Sequence, residues 1–111
     1  MAGKTFLVQS EFLGRGNDEL GMLVMSKFLG TLTENKDKPA RLVFINSGVK
    51  LVAEGSWALG HLKKLESQGV EILACGTCLD FFELTKKIGV GKTTTMVAAV
   101  DFMLHTDTVC L

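Results

Sequence analysis

Cys75-Gly76-Thr77-Cys78 is the segment of this sequence whose residue types and spacing point most directly to chemistry. Two intervening residues let the sulfurs meet, so either thiol can resolve an adduct formed on the other. The pair follows the strand-like run Val70-Glu71-Ile72-Leu73-Ala74 and precedes a helical stretch from Thr77 to Lys87. Thr77 and Asp80 stand in a loose capping-box relation, which predicts a helix start at this point. A thiol held there would meet unpaired N–H groups and the positive end of the helix dipole. Its pKa would then fall to about 7 or below, and the thiolate is the nucleophile. Cys75, just ahead of the N–H cluster, is expected to be the accessible attacking thiol. Cys78, inside the first turn, is expected to assist or resolve. The competing reading is two ordinary buried thiols, since free cysteine is among the most buried residue types. A close pair at a strand-to-helix turn favours chemistry.

Other patterns carry less. A structural zinc site needs four ligands, and Cys110, His61 and His105 supply no second paired motif, so neither a metal nor a cofactor is expected. Gly89-Val90-Gly91-Lys92-Thr93 resembles a phosphate-binding loop, but Lys86 stands where that motif needs its first glycine, and a helix precedes the segment where a strand should. Gly14-Arg15-Gly16 is a fragment of a dinucleotide fingerprint with Glu19 in place of the third glycine. It reads as a flexible loop, with Arg15 available to bind an anionic group near the thiols. His61 and His105 are expected at the surface or an interface, Trp57 and Phe12 in packing, and Cys110 as a buried core thiol.

The elements that must position the cysteines alternate along the chain. Thr5 to Val8 reads as a strand. Glu19 to Glu34 reads as a helix with Leu20, Leu23, Val24, Phe28, Leu29 and Leu32 in its apolar stripe, Met22 and Met25 widening it, and Asn17 or Asp18 as N-cap. After the polar turn Asn35 to Pro39, Arg41 to Ile45 has the unbroken apolar pattern of a buried parallel strand. A second helix is expected from Gly55 to Gln68 with Ala58, Leu62 and Leu65 inward, stopped by Gly69. Lys92 to Thr95 reads as a short strand, Met96 to Leu104 as a helix with Met96, Ala99, Val100 and Met103 on one face, and Thr106 to Leu111 as a last strand. This alternation predicts right-handed βαβ units, a mostly parallel sheet and helices on both faces. Ligands of such sheets bind beyond the carboxyl ends of the strands. The loops at Arg15, at Asn46-Ser47-Gly48, at Gly76-Thr77 and at Thr94-Thr95-Met96 therefore converge on the edge that holds the thiols.

At 111 residues the chain is expected to be one domain, 1–111, large enough to fold without a disulfide or metal. Twelve basic and twelve acidic residues cancel and form no block, which argues against nucleic acid or anionic membranes as partners. No secretory signal and no membrane span is legible, so a cytoplasmic location is the default. A 47% hydrophobic composition with a mean hydropathy of +0.30 is apolar for a small domain, and self-association is expected to cover the excess.

With these residues in view, the sequence resembles the DsrE-like superfamily, most closely the DsrE-like domain of the YedF group, whose members are sulfurtransferase-like and linked to selenium metabolism. The resemblance rests on Asp18-Glu19-Leu20-Gly21, Phe44 to Leu51, Glu54-Gly55-Ser56 and above all Gly69 to Leu79. It implies an α/β/α sandwich with a five-stranded parallel sheet, assembly into trimers or hexamers, and a cysteine at the position of Cys75 that carries sulfur as a persulfide. The YedF group commonly adds an N-terminal TusA-like domain with a Cys-Pro motif. This sequence has neither, so a separate sulfur donor or TusA-like acceptor protein is implied. The leading expectation is a persulfide carrier or sulfurtransferase, with Cys75 bearing sulfane sulfur (or selenium), Cys78 assisting, and the Asn46-Ser47-Gly48 loop lining the pocket. The alternatives are a dithiol–disulfide oxidoreductase and a non-enzymatic oligomeric module that binds a small anion or nucleotide at the same edge.

Overall fold

A computed structural model of the chain describes residues 3–111; Met1 and Ala2, with which the expected domain begins, lie outside the described residues. Five strands form, β1 (Lys4–Val8), β2 (Arg41–Phe44), β3 (Glu71–Cys75), β4 (Lys92–Thr94) and β5 (Asp107–Cys110). They pair in parallel throughout, in the order β4-β3-β2-β1-β5. The helices are α1 (Asp18–Glu34), α2 (Leu59–Ser67), α3 (Gly76–Phe81) and α4 (Met96–His105), and a 3-10 helix covers Asn46–Val52.

Strand pleating sorts the sheet's side chains into two cores. Phe6, Val8, Leu42, Phe44, Ile72 and Ala74 meet residues of α1, α2, α3 and the 3-10 helix on one face. Leu7, Val43 and Leu73 point the other way and meet Ala99 of α4, with Phe102 beside it. The result is the expected three-layer α/β/α sandwich, thick on one side and covered by a single helix on the other. The connections from β1 to β4 step in one direction over the thick face, whereas α4 carries the chain back across the thin face to β5. Adjacent strands β3 and β4 thus send the chain to opposite faces. Carboxyl ends at such a switch point are where open α/β sheets bind ligands.

Several local expectations are corrected. In α1, capped by Asn17 as expected, the buried row is Gly21, Met25, Leu29 and Thr33, while Leu20, Leu23 and Val24 are exposed. The apolar stripe is wider than the contact with the sheet, and Gly21 turns inward because the loop lies against it: a Cβ there would come within 2.8 Å of the Phe12 Cβ. The second helix starts only at Leu59, because the 3-10 helix and a turn take up the residues before it; Ala58, Leu62 and Leu65 are buried as expected. The third helix ends at Phe81 instead of Lys87, where Glu83 enters the left-handed region at φ +58° and the Leu84 N–H bonds back to the Leu79 carbonyl. Of the expected inner face of α4, only Ala99 is buried. Cys110, expected in the core, is exposed on the edge strand β5.

The amino edge of the sheet is held by charge. Arg41 is buried there with Nη1 donating to Thr5 Oγ1 at 2.9 Å, its guanidinium 4.5 Å from the centre of the Phe102 ring and Glu71 3.8 Å away. Lys4 pairs with Asp107 across β1 and β5. This network lies at the end of the sheet opposite the thiols.

Candidate functional site

Strand β3 ends at Cys75, whose backbone (φ −63°, ψ 123°) turns out of the sheet and serves as the N-cap position of α3. Its side chain packs into the thick core and is only 4% exposed. Across the ladder Cys75 lies opposite Thr94 of β4. Gly76 allows this approach, since a Cβ there would stand 3.1 Å from Thr93 Cγ2. Cys78 follows in the first turn and is partly exposed. The expected order of accessibility is therefore reversed: the strand's last residue is drawn into the core, and the residue one turn along faces out. The expected Thr77 cap does not form either, and Asp80 accepts a hydrogen bond from the Thr85 hydroxyl instead.

Cys78 Sγ accepts a hydrogen bond from the backbone N–H of Asn46 at 3.0 Å. Asn46 occupies the left-handed region at φ +52°, which asparagine tolerates better than most residues, and its Oδ1 accepts from the Ser47 N–H at 2.8 Å. This conformation begins the 3-10 helix and aims the Asn46 amide at the sulfur. Gly48 anchors the same segment from below: a Cβ would lie 2.4 Å from the Val8 carbonyl oxygen, so no side chain fits. Burial pushes the Cys78 thiol above its ordinary pKa, the Asn46 amide pulls it down, and the neighbouring Cys75 thiol raises it further. The expectation of a lowered thiol pKa at a helix start is corrected here. Helix α3 has six residues and a correspondingly small dipole, and desolvation of the thiolate outweighs one N–H bond.

Two depressions open on this edge. One, of about 260 Å³, is bounded by Asn46, Thr77, Cys78, Phe81 and Phe82. Its wall is mostly apolar, with Phe81 81% exposed and set edge-on to Phe82, while the Lys50 ammonium lies 4.6 Å from the centre of the Phe82 ring. The other, of about 540 Å³, is bounded by Gln9, Ser10, Phe12, Arg15, Asp18 and Asn46 among others. Asn46 is the partition between them.

Of the residues expected here, Cys78, Thr77 and Asn46 meet in the thiol pocket, with Cys75 directly behind it. Arg15 lies in the larger depression on the far side of Asn46. Ser47, Gly48 and Gly76 line neither; their contribution is to the backbone that carries the others. Phe81 and Phe82 were not anticipated, although two aromatics placed three and four residues after Cys78 would share its side of a helix. Asp18 was expected only as a helix cap, and Phe12 only in packing.

No family model and no curated protein matches the chain. Solved structures do share its fold. YchN from E. coli superimposes with a TM-score of 0.75 at 16% identity, covering 100% of each chain. MTH1491 from Methanobacterium thermoautotrophicum, a protein of unknown function, gives 0.68 at 16% identity over 97% of each chain. BT1422 from Bacteroides thetaiotaomicron, likewise of unknown function, gives 0.68 at 14% identity over 98% of this chain and 95% of that one.

Proposed function

We propose that this chain is a sulfur-handling protein of the DsrE-like kind, a persulfide carrier or sulfurtransferase, with Cys78 as the thiol that first takes up sulfane sulfur and Cys75 as the thiol behind it. The observation that carries the reading is a partly exposed thiol in the first turn of α3 with a buried thiol at the N-cap of the same helix, where β3 ends. The shallow apolar wall of Phe81 and Phe82 suits a soft, polarisable sulfur better than a charged group. A thiol held mainly protonated reacts slowly with bystander disulfides, which suits a carrier loaded by one donor. The sequence resemblance to the YedF group supports the same reading and extends it to selenium as cargo.

The same pair of neighbouring thiols also supports a dithiol–disulfide oxidoreductase. A carrier holds sulfur on one thiol, whereas an oxidoreductase cycles the pair, so reduction of insulin by the reduced protein at catalytic concentration favours the second reading. Partners in the first reading are a sulfur donor, a TusA-like acceptor and further copies of this chain. Intact mass after incubation with a sulfane-sulfur donor provides the direct test. An adduct of one sulfur is expected on the wild type and on Cys75→Ser, and none on Cys78→Ser. The absence of any adduct, or its persistence at the same level in Cys78→Ser, overturns the proposal.

A further inference from the structure

The thiol pocket has no charged side chain in its wall apart from the rim ammonium of Lys50 over Phe82, so a small charged sulfur donor must find its countercharges elsewhere. The larger depression adjoins it across Asn46 alone and carries two opposite charges, Arg15 and Asp18, with the polar side chains of Gln9 and Ser10 between β1 and the loop. Arg15 and Asp18 flank the start of α1 but are not paired with each other, and among the described residues neither has an ion-pair partner. Both charges are thus free to meet a ligand. At about 540 Å³ the depression has room for an amino-acid-sized group, and Asn46 lines both it and the 260 Å³ pocket at Cys78. A purely anionic ligand would be opposed by Asp18 and a purely cationic one by Arg15, so the wall selects a molecule that carries both charges.

We infer that the Arg15–Asp18 depression binds the zwitterionic head group of a small amino-acid thiol or persulfide, the carboxylate on Arg15 and the ammonium on Asp18, and presents its sulfur to Cys78. The inference rests on the thiol reading above. In the transfer step Cys78 Sγ attacks the outer sulfur of the persulfide R–S–SH. A bond forms between Cys78 and that sulfur, the bond between the two sulfurs of the donor breaks, and R–S leaves with the electron pair. The leaving thiolate takes up the proton that Cys78 gave up, so the step involves no net oxidation.

Disulfide probes test the head group without a labile persulfide, because attack by Cys78 on R–S–S–R forms a mixed disulfide and releases one R–SH. Modification at Cys78 is followed by peptide mass mapping with cystine (zwitterionic), cystamine (cationic), dithiodiglycolate (anionic) and bis(2-hydroxyethyl) disulfide (neutral). Cystine is expected to react about three- to tenfold faster than the neutral reagent, the range for partly exposed charge contacts, with the preference shrinking as salt is raised. Arg15→Gln and Asp18→Asn should each bring the ratio towards one, while Lys63→Gln, on the exposed side of α2, should keep it. A wild-type ratio near one, or a ratio retained in both variants, overturns the inference while leaving the thiol reading standing. If no reagent modifies Cys78 while a sulfane-sulfur donor still loads it, the inference fails and the thiol reading stands; if neither modifies it, both fail together.

Discussion

At the scale of single residues, Asn46 holds the site together. Its left-handed backbone supplies the N–H on Cys78, and its side chain stabilises the turn that makes this possible. Glycine accepts that conformation freely, whereas a β-branched residue there is strained by about 1–3 kcal/mol. Asn46→Gly should therefore keep the Cys78 thiol close to its native pKa, and Asn46→Val should raise it further by removing the one contact that lowers it. Alkylation of Cys78 against pH reads this directly: the wild-type midpoint should lie above that of a free cysteine, with Asn46→Val higher still. Stability follows the same sign. A thiol whose native pKa is raised contributes stability in full below the unfolded-state pKa and loses it as pH rises through the native value. Native alkylation should label Cys110 first, Cys78 next and Cys75 last, in the order of their exposure.

At the scale of elements, the 3-10 helix after β2 is the part that the sequence reading did not find. Asn46-Ser47-Gly48 has loop composition, and only its fit against β1 turns it into a helix. Gly48→Ala tests that fit, because the new methyl would meet the Val8 carbonyl rather than a yielding side chain. A loss of about 1–3 kcal/mol in denaturant unfolding is expected, as for overpacking, together with slower reaction of Cys78. Leu62→Ala on α2, fully buried in the thick core, should cost about 2–5 kcal/mol without changing the Cys78 pH profile. The pair of variants separates damage to the scaffold from damage to the site.

At the scale of the whole molecule, the covering of the sheet is uneven. Helix α4 stands alone on its face and leaves Met96, Val97, Val100, Met103 and Leu104 exposed, while α1 exposes Leu20, Met22, Leu23 and Val24. Apolar side chains exposed together along a helix are characteristic of an interface, and a second copy of the chain is the occupant that the apolar composition leads one to expect. Light scattering coupled to size exclusion should give a mass of several chains, reduced by Val100→Glu with Leu104→Glu on α4. A wild type that stays monomeric across micromolar concentrations would remove this expectation.

The order of strands and helices, the parallel sheet, the thiol pair at the end of β3 and the buried row of α2 were all legible in the sequence. They depend on hydrophobic period and chain punctuation, which act over a few neighbouring residues. Which side of α1 and α4 meets the sheet was not legible, because their apolar stripes are wider than the contact and only packing chooses the buried part. The roles of the two cysteines were not legible either. Burial is decided by residues far away in the chain: Cys75 joins the core that α1, α2 and the 3-10 helix share, and the Asn46 turn, thirty-two positions before Cys78, sets that thiol's hydrogen bond and, with desolvation, its acidity. Spacing along the chain brought two sulfurs together; the tertiary structure decided which of them meets solvent.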